Sequence, residues 1–168
     1  MELPKRKNIR LKDYDYSQNG AYFITICTKD RVNIFGEVVG AALAPPDNTL
    51  KIALTEFGET VKTQIEALSE HYDEICVDKY VIMPNHVHMV VFINAGGASA
   101  APTTLGNLIR GFKSGVSRVC GFSLWQRGYH DHIIRDETEY QKIWRYIDGN
   151  PAKWAEDKYY CEPAKELL

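Results

Sequence analysis

The sequence predicts an α+β fold built as one compact domain over residues 1–168, and three observations predict it. Short runs of β-branched and aromatic residues recur along the chain, with the two-residue alternation of half-buried strands. Two longer segments between them carry apolar residues at three- and four-residue steps, the pattern of amphipathic helices. A further helical segment follows the last strand-like run. A chain of this length can bury a substantial core.

The elements follow in order. Residues 21–28 (AYFITICT) alternate and read as the first strand, and residues 34–39 (IFGEVV) are expected to pair with it. GAALAPPDN is a loop, marked by two prolines and an Asp-Asn pair, and LKIAL adds a short strand. Residues 54–72 read as one helix: Thr55 is the N-cap, Glu56 and Glu59 sit at the positive end of the dipole, and Phe57, Val61, Ile65 and Leu68 make the apolar face. Residues 75–84 and 86–93 are strands joined through Pro84-Asn85 as a hairpin. AGGASAAPTT is a linker of small residues. Residues 105–119 form the second helix, with Leu105, Leu108, Ile109, Phe112, Val116 and Val119 as its stripe. Residues 129–135 are the last strand. Asp136 then opens a third helix that runs to about Gly149, and Pro151 stops it. This order is that of a ferredoxin-like split βαβ antiparallel sheet with an appended C-terminal helix. Two helices cover one face of such a sheet and leave the other free. No repeat at solenoid periods is visible.

Bulk composition excludes some classes. Hydrophobic residues are 45% and charged residues 25%, ordinary for a globular chain. No apolar run approaches the roughly 20 residues of a membrane span, and no apolar stretch follows the basic N-terminus as in a secretory signal. Both absences predict a cytoplasmic protein with no membrane partner. Cys27, Cys76, Cys120 and Cys161 are too scattered for a zinc or redox motif. Net charge is −2, which by itself argues against a nucleic-acid partner. The charges are unevenly spread, however. Lys5, Arg6, Lys7, Arg10 and Lys12 make a basic arm, while acids concentrate in residues 56–74 and in the tail after Glu156.

The residues with chemistry to offer are His86 and His88. At i and i+2 on a strand they point to one face, opposite Val87, Met89, Val91 and Ile93, so both imidazoles can address one ion. Edge histidines making ordinary hydrogen bonds would show the same pattern, and two ligands do not complete a metal site. The third helix carries Tyr146 and Asn150 on one face, four residues apart. Tyr140, Ile143, Trp144 and Ile147 form its apolar stripe, and Tyr146 lies about 110° from the centre of that stripe. Tyr146 is therefore not placed as a core residue, whereas Tyr140 is. Asn150 stands at the helix C-terminus, whose negative dipole end favours a cation. His130 and His132 repeat the i, i+2 spacing, as a second metal site or, preferably, as strand histidines with structural hydrogen bonds.

MPNHVHMVV at residues 83–91 resembles the HUH motif of single-strand DNA nucleases, and YIDGNP at residues 146–151 resembles the tyrosine helix of single-tyrosine HUH transposases. Together with residues 10–28 and 124–140, these motifs are similar to the REP-associated tyrosine transposases, over about residues 10–154. The resemblance implies His86 and His88 as metal ligands and Tyr146 as the nucleophile. It also implies Asn150 at the metal site, where the wider group has glutamine. The implied cofactor is a divalent metal, Mg²⁺ or Mn²⁺. The implied activity is cutting and rejoining of single-stranded DNA through a 5′-phosphotyrosine, on a hairpin or repeat substrate. A catalytically decayed DNA-binding module and a His-based metallohydrolase without a covalent intermediate are the alternatives. Some relatives exchange the tyrosine helix between subunits, so a homodimer and a monomer are both open. Arg110, Lys113, Arg127 and Arg135, with Lys5, Arg6 and Arg10 of the arm, are the candidate DNA-phosphate contacts. Tyr14, Tyr16 and Tyr22 would stack on unpaired bases or pack internally.

Overall fold

The computed structural model describes residues 14–40, 50–94 and 103–162. Lys5, Arg6 and Arg10, the Pro-Pro loop and most of the small-residue linker lie outside those residues. The strands are β1 (Gly20–Cys27), β2 (Gly36–Val39), β3 (Lys51–Leu54), β4 (Ile75–Met83), β5 (His86–Ile93) and β6 (His130–Ile134). The helices are α1 (Glu56–Glu66), α2 (Leu68–His71), α3 (Leu105–Cys120) and α4 (Glu137–Gly149), with 3₁₀ turns at Lys29–Arg31 and Pro151–Glu156.

Four strands form one antiparallel sheet in the order β4-β5-β1-β6, the ferredoxin-like arrangement. Tyr22, Ile24 and Ile26 of β1 alternate onto one face beside Val87, Met89, Val91 and Ile93 of β5. Val61 and Ile65 of α1 and Leu105, Leu108, Ile109, Phe112 and Val116 of α3 close over them. Each such side chain contributes about 1.5–3 kcal/mol on burial. The caps are those the sequence indicates: Thr55 accepts from the Gly58 amide and Asp136 from the Glu139 amide.

Five expectations need correction. First, β2 pairs with β3 and not with β1, because β5 and β6 already occupy both edges of β1. Second, the helix expected over residues 54–72 divides at Ala67 into α1 and α2; Leu68 keeps its inward position across the break, so the periodicity hides it. Third, Val119 is 64% exposed, because Cys120 continues the inward stripe from Val116 and turns Val119 out. Fourth, Pro151 ends the α-helix but not the winding, which continues as the 3₁₀ turn Pro151–Glu156. Fifth, the second face of the sheet is not free.

That face is roofed by α4 and the turn after it. The cause lies in β4, where a bulge between Val77 and Lys79 shifts the alternation by one residue. Asp78 and Lys79 consequently both reach α4. Tyr140 Oη donates to Asp78 Oδ2 at 2.6 Å. Lys79 Nζ lies 2.6 Å from Asp148 Oδ1 and 3.7 Å from the centre of the Trp144 ring. Exposed ion pairs of this kind add under about 1 kcal/mol, so they orient the helix more than they hold it. Ile147, 1% exposed, contributes more. Beyond α4, Trp154 and Tyr159 join Cys27 and Met83 in a second small core, with Val38 and Ile52 of the β2–β3 ribbon and Val81 packed against it. No helix among the described residues is long and apolar enough to cross a membrane.

A Cβ on Gly58 would collide with the Phe35 carbonyl oxygen and crowd Leu54. Gly58→Ala is therefore expected to cost about 1–3 kcal/mol despite alanine's better helix propensity. A urea-denaturation midpoint unchanged by the substitution would contradict so close an approach.

Candidate active site

Strand alternation puts Phe23, Thr25 and Cys27 of β1 on the same sheet face as His86 and His88 of β5, with Thr25 directly opposite His88 and Cys27 opposite His86. Both histidines are buried, at 0% and 1% exposure, beneath α4 and the Pro151–Glu156 turn. Their Nε2 atoms converge to 3.0 Å. Burial is the first cause of depressed basicity in both: His86 falls to about 4 and His88 well below its usual value, with its neighbour's charge adding to the effect. At neutral pH both imidazoles are uncharged and carry ligand lone pairs.

Each outer nitrogen is held. His88 Nδ1 lies 2.8 Å from Thr25 Oγ1, and His86 Nδ1 lies 2.9 Å from Asn85 Oδ1. The Asn85 amide can be oriented in only one way. Its Nδ2 donates both hydrogens, to the carbonyls of Arg31 (3.1 Å) and Tyr159 (2.8 Å). Its Oδ1 must then accept from His86, so the proton of neutral His86 sits on Nδ1 and Nε2 is bare. Sequence reading treats Asn85 as a turn residue only; its complete burial is what gives it this second task.

The residue that sequence reasoning missed is Asp157. Its carboxylate and the two histidine nitrogens all lie within 4.8 Å of one another, and this is the one such three-residue cluster of His, Cys, Asp or Glu among the described residues. The Tyr159 amide donates to Asp157 Oδ1 at 2.7 Å, and Asn150 Nδ2 donates to Oδ2 at 3.1 Å. In the sequence Asp157 belongs to an acidic tail; only the turn after Pro151 brings it back. Asn150 is 2% exposed, and its Oδ1 is buried without a hydrogen-bond partner. Two neutral imidazoles and a carboxylate, with the orphaned oxygen on the amide that bonds that carboxylate, fit the donor set of a divalent cation.

Tyr146 reaches the histidines of its own chain. Its Oη lies 3.3 Å from His88 Nε2, and its ring meets Phe23 and His88 edge-on at 6.0 and 5.2 Å. It remains 41% exposed, so the hydroxyl borders both the buried donors and solvent. Burial, then the Asp157 charge, raises the phenol to about 12, with a hydrogen bond from Asn150 acting in the opposite sense. Arg145, Lys153 and Lys158 stand around the cavity of about 250 Å³ that opens at Tyr146.

The remaining candidates are dispersed. Arg110 is exposed on α3, across the sheet from the histidines, and Arg127 and Arg135 are exposed before and after β6. The Lys113 ammonium is bonded internally, donating to the carbonyls of Gln126 (2.7 Å) and Gly128 (2.9 Å). His132 pairs with Glu139 at 2.6 Å, and neither it nor His130 enters the metal-ligand cluster found among the described residues. Tyr14, Tyr16 and Tyr22 pack on one another, with Tyr22 fully buried. All four cysteines are free.

No protein-family model matches the sequence. An uncharacterised protein of Haemophilus influenzae is 34% identical over 178 aligned positions, covering 94% of each chain. A second protein of that organism, provisionally described as a REP-associated tyrosine transposase, is 23% identical over 149 positions, 83% of this chain and 74% of its own. Among solved structures, a REP-associated tyrosine transposase bound to a REP hairpin superimposes with a TM-score of 0.60 at 19% identity, over 85% of this chain and 74% of that one.

The Asn85 amide makes a stability test of this arrangement. Asn85→Ala leaves the Arg31 and Tyr159 carbonyls and His86 Nδ1 without partners in a dry interior. A loss of about 2–4 kcal/mol is expected in denaturant unfolding. A loss below about 0.5 kcal/mol, the size of an ordinary surface change, would show that these bonds are not holding the site together.

Proposed function

We propose that the chain is a REP-associated tyrosine transposase, a reading supported by its likeness to one such protein in sequence and to another in fold, and that it is a metal-dependent endonuclease and strand transferase acting on single-stranded DNA at hairpins or repeats. The observation that carries this reading is the juxtaposition of the Tyr146 hydroxyl, 3.3 Å from His88, with the converging His86 and His88 nitrogens. The hairpin substrate is supported by the solved relative, which is bound to one.

His86, His88 and Asp157 are the residues that would hold the ion, with the unpartnered Asn150 oxygen as a fourth donor. A bound divalent metal, Mg²⁺ or Mn²⁺, supplies charge that offsets the developing negative charge of the scissile phosphate. The mixed nitrogen and oxygen donors suit Mn²⁺ at least as well as Mg²⁺.

The side chains do the rest. The Pro151–Glu156 turn and α4 keep water from the histidine side of the site, while the exposed edge of Tyr146 admits a strand. Tyr146 Oη attacks the phosphorus in line, forming a 5′-phosphotyrosine. The P–O3′ bond breaks, and the 3′ oxygen leaves with a proton as a free hydroxyl. With its phenol at about 12, Tyr146 is neutral near pH 7 and gives up its proton only as the new bond forms. The phosphodiester energy stays in the tyrosine link, so a 3′ hydroxyl rejoins the strand by the reverse step without ATP. Arg145, Lys153 and Lys158 at the mouth suit an anionic backbone.

The test is a denaturing gel with labelled hairpin oligonucleotides bearing single-stranded flanks, in Mn²⁺ or Mg²⁺. A slow, protease-sensitive adduct is expected, lost with EDTA and in Tyr146→Phe. Cleavage without an adduct that survives Tyr146→Phe would instead mean a His-based hydrolase, and binding without cleavage would mean a decayed module. Mn²⁺ titration by calorimetry separates the ligand assignment from the chemistry. Asp157→Ala is expected to weaken binding about tenfold or more. Unchanged affinity would remove Asp157 from the ligand set.

A further inference from the structure

Beside the site lies a second cavity, of about 550 Å³, walled by the Lys29–Arg31 turn and by residues 123–127. Three cations line it, Lys29, Arg31 and Arg127, against the single carboxylate of Asp30. This is a concentration of positive charge in a chain whose net charge is −2. Neither the Lys29 nor the Arg127 side chain forms a hydrogen bond or an ion pair among the described residues.

Both walls are rigidly held. Asp30 and Arg31 adopt left-handed backbone angles, φ 56° and 55°, which non-glycine residues rarely keep. Such strain costs on the order of 1–3 kcal/mol per residue and persists only where surrounding bonds impose it. Here the Lys29 amide donates to the Leu124 carbonyl at 2.7 Å, and Asn85 Nδ2 holds the Arg31 carbonyl. The opposite wall is tied by the Gln126 amide to the Cys27 carbonyl, by the Trp125 indole to the Lys113 carbonyl, and by Lys113 to Gln126 and Gly128. This gives the half-buried Lys113 an internal use.

The cavity also connects to the chemistry. Arg31 Nη1 donates to the Lys158 carbonyl at 3.2 Å, and its guanidinium lies 5.4 Å from the centre of the Tyr159 ring. That ring lies 4.6 Å from His86, and Lys158 belongs to the mouth at Tyr146. The bond from Arg31, which lines the second cavity, to Lys158, which lines the Tyr146 mouth, thus links the two cavities.

We propose that the Lys29–Arg31–Arg127 groove binds the sugar-phosphate backbone of the single-stranded DNA flanking the scissile phosphate. The strand passes from the Tyr146 mouth over Arg31 and lies along preplaced cations. Contacts from these cations to phosphates carry no sequence information, so they supply sequence-independent affinity and register. This rests on the strand-transfer reading above but is tested separately from it.

The experiment is fluorescence anisotropy of a labelled oligo-dT of roughly 16 nucleotides, titrated from about 50 to 200 mM NaCl. Wild type is compared with Lys29→Ala/Arg127→Ala and with Lys62→Ala/Arg118→Ala, which removes the same charge from the α1–α3 side. Each single-strand phosphate contact adds about 0.7 to the slope of log affinity against log salt. The groove variant is expected to bind with a slope shallower by about 1.4, and the control variant with the wild-type slope. Equal slopes for wild type and groove variant, or an equal loss in the control, would overturn the groove. The Tyr146 adduct is scored on the same proteins. An adduct with unchanged slopes removes only the groove. A groove-dependent slope with no adduct keeps the groove and removes strand transfer.

Discussion

Much of this structure depends on one buried amide. Asn85 has two N–H donors and one carbonyl oxygen, and all are engaged inside the protein. They join two distant pieces of chain, the Arg31 turn and the Tyr159 segment, to the neighbouring His86 ring. A buried amide with these groups unmet would cost several kcal/mol, so the two segments and the His86 ring are constrained together. The tautomer of His86, the left-handed turn at Arg31 and the return of the tail that carries Asp157 are one arrangement.

Around that tie, burial sets the electrostatics. The two imidazoles are kept uncharged because protonation would place a cation in a dry interior. The same cover raises the Tyr146 phenol. Two donors hold the Asp157 carboxylate in place, one from the backbone of Tyr159 and one from the side chain of Asn150. Neutral nitrogens and one fixed negative charge at the C-terminal end of α4 leave a position that favours a cation.

The cover itself follows from a one-residue irregularity. Without the bulge in β4, strict alternation would send Asp78 and Lys79 to opposite faces. With it, both meet α4, through Tyr140 in one case and through Trp144 and Asp148 in the other. Those contacts lay the helix across the sheet so that Tyr146 meets His88. The β2–β3 ribbon, excluded from the main sheet, completes the cover by packing Val38 and Ile52 against the second small core.

The sequence by itself determined what depends on local periodicity. The paired histidines share a face because strand side chains repeat every two residues, and Tyr146 leaves the core stripe because of its angle on the helix. The caps at Thr55 and Asp136, the hairpin and the ferredoxin-like order were legible from equally local signals, as was most of the apolar face of β5, α1 and α3, Val119 apart. Tertiary structure decided what depends on distant segments meeting. It buried the histidines that alternation alone left on an open face, and it made Asn85 a joint between segments. It also drew Asp157 out of an anonymous acidic tail and set Arg127 opposite Lys29 across a groove. Hydrogen bonds and charges between residues far apart in the chain leave no periodic trace, so these placements became visible only once the chain had folded.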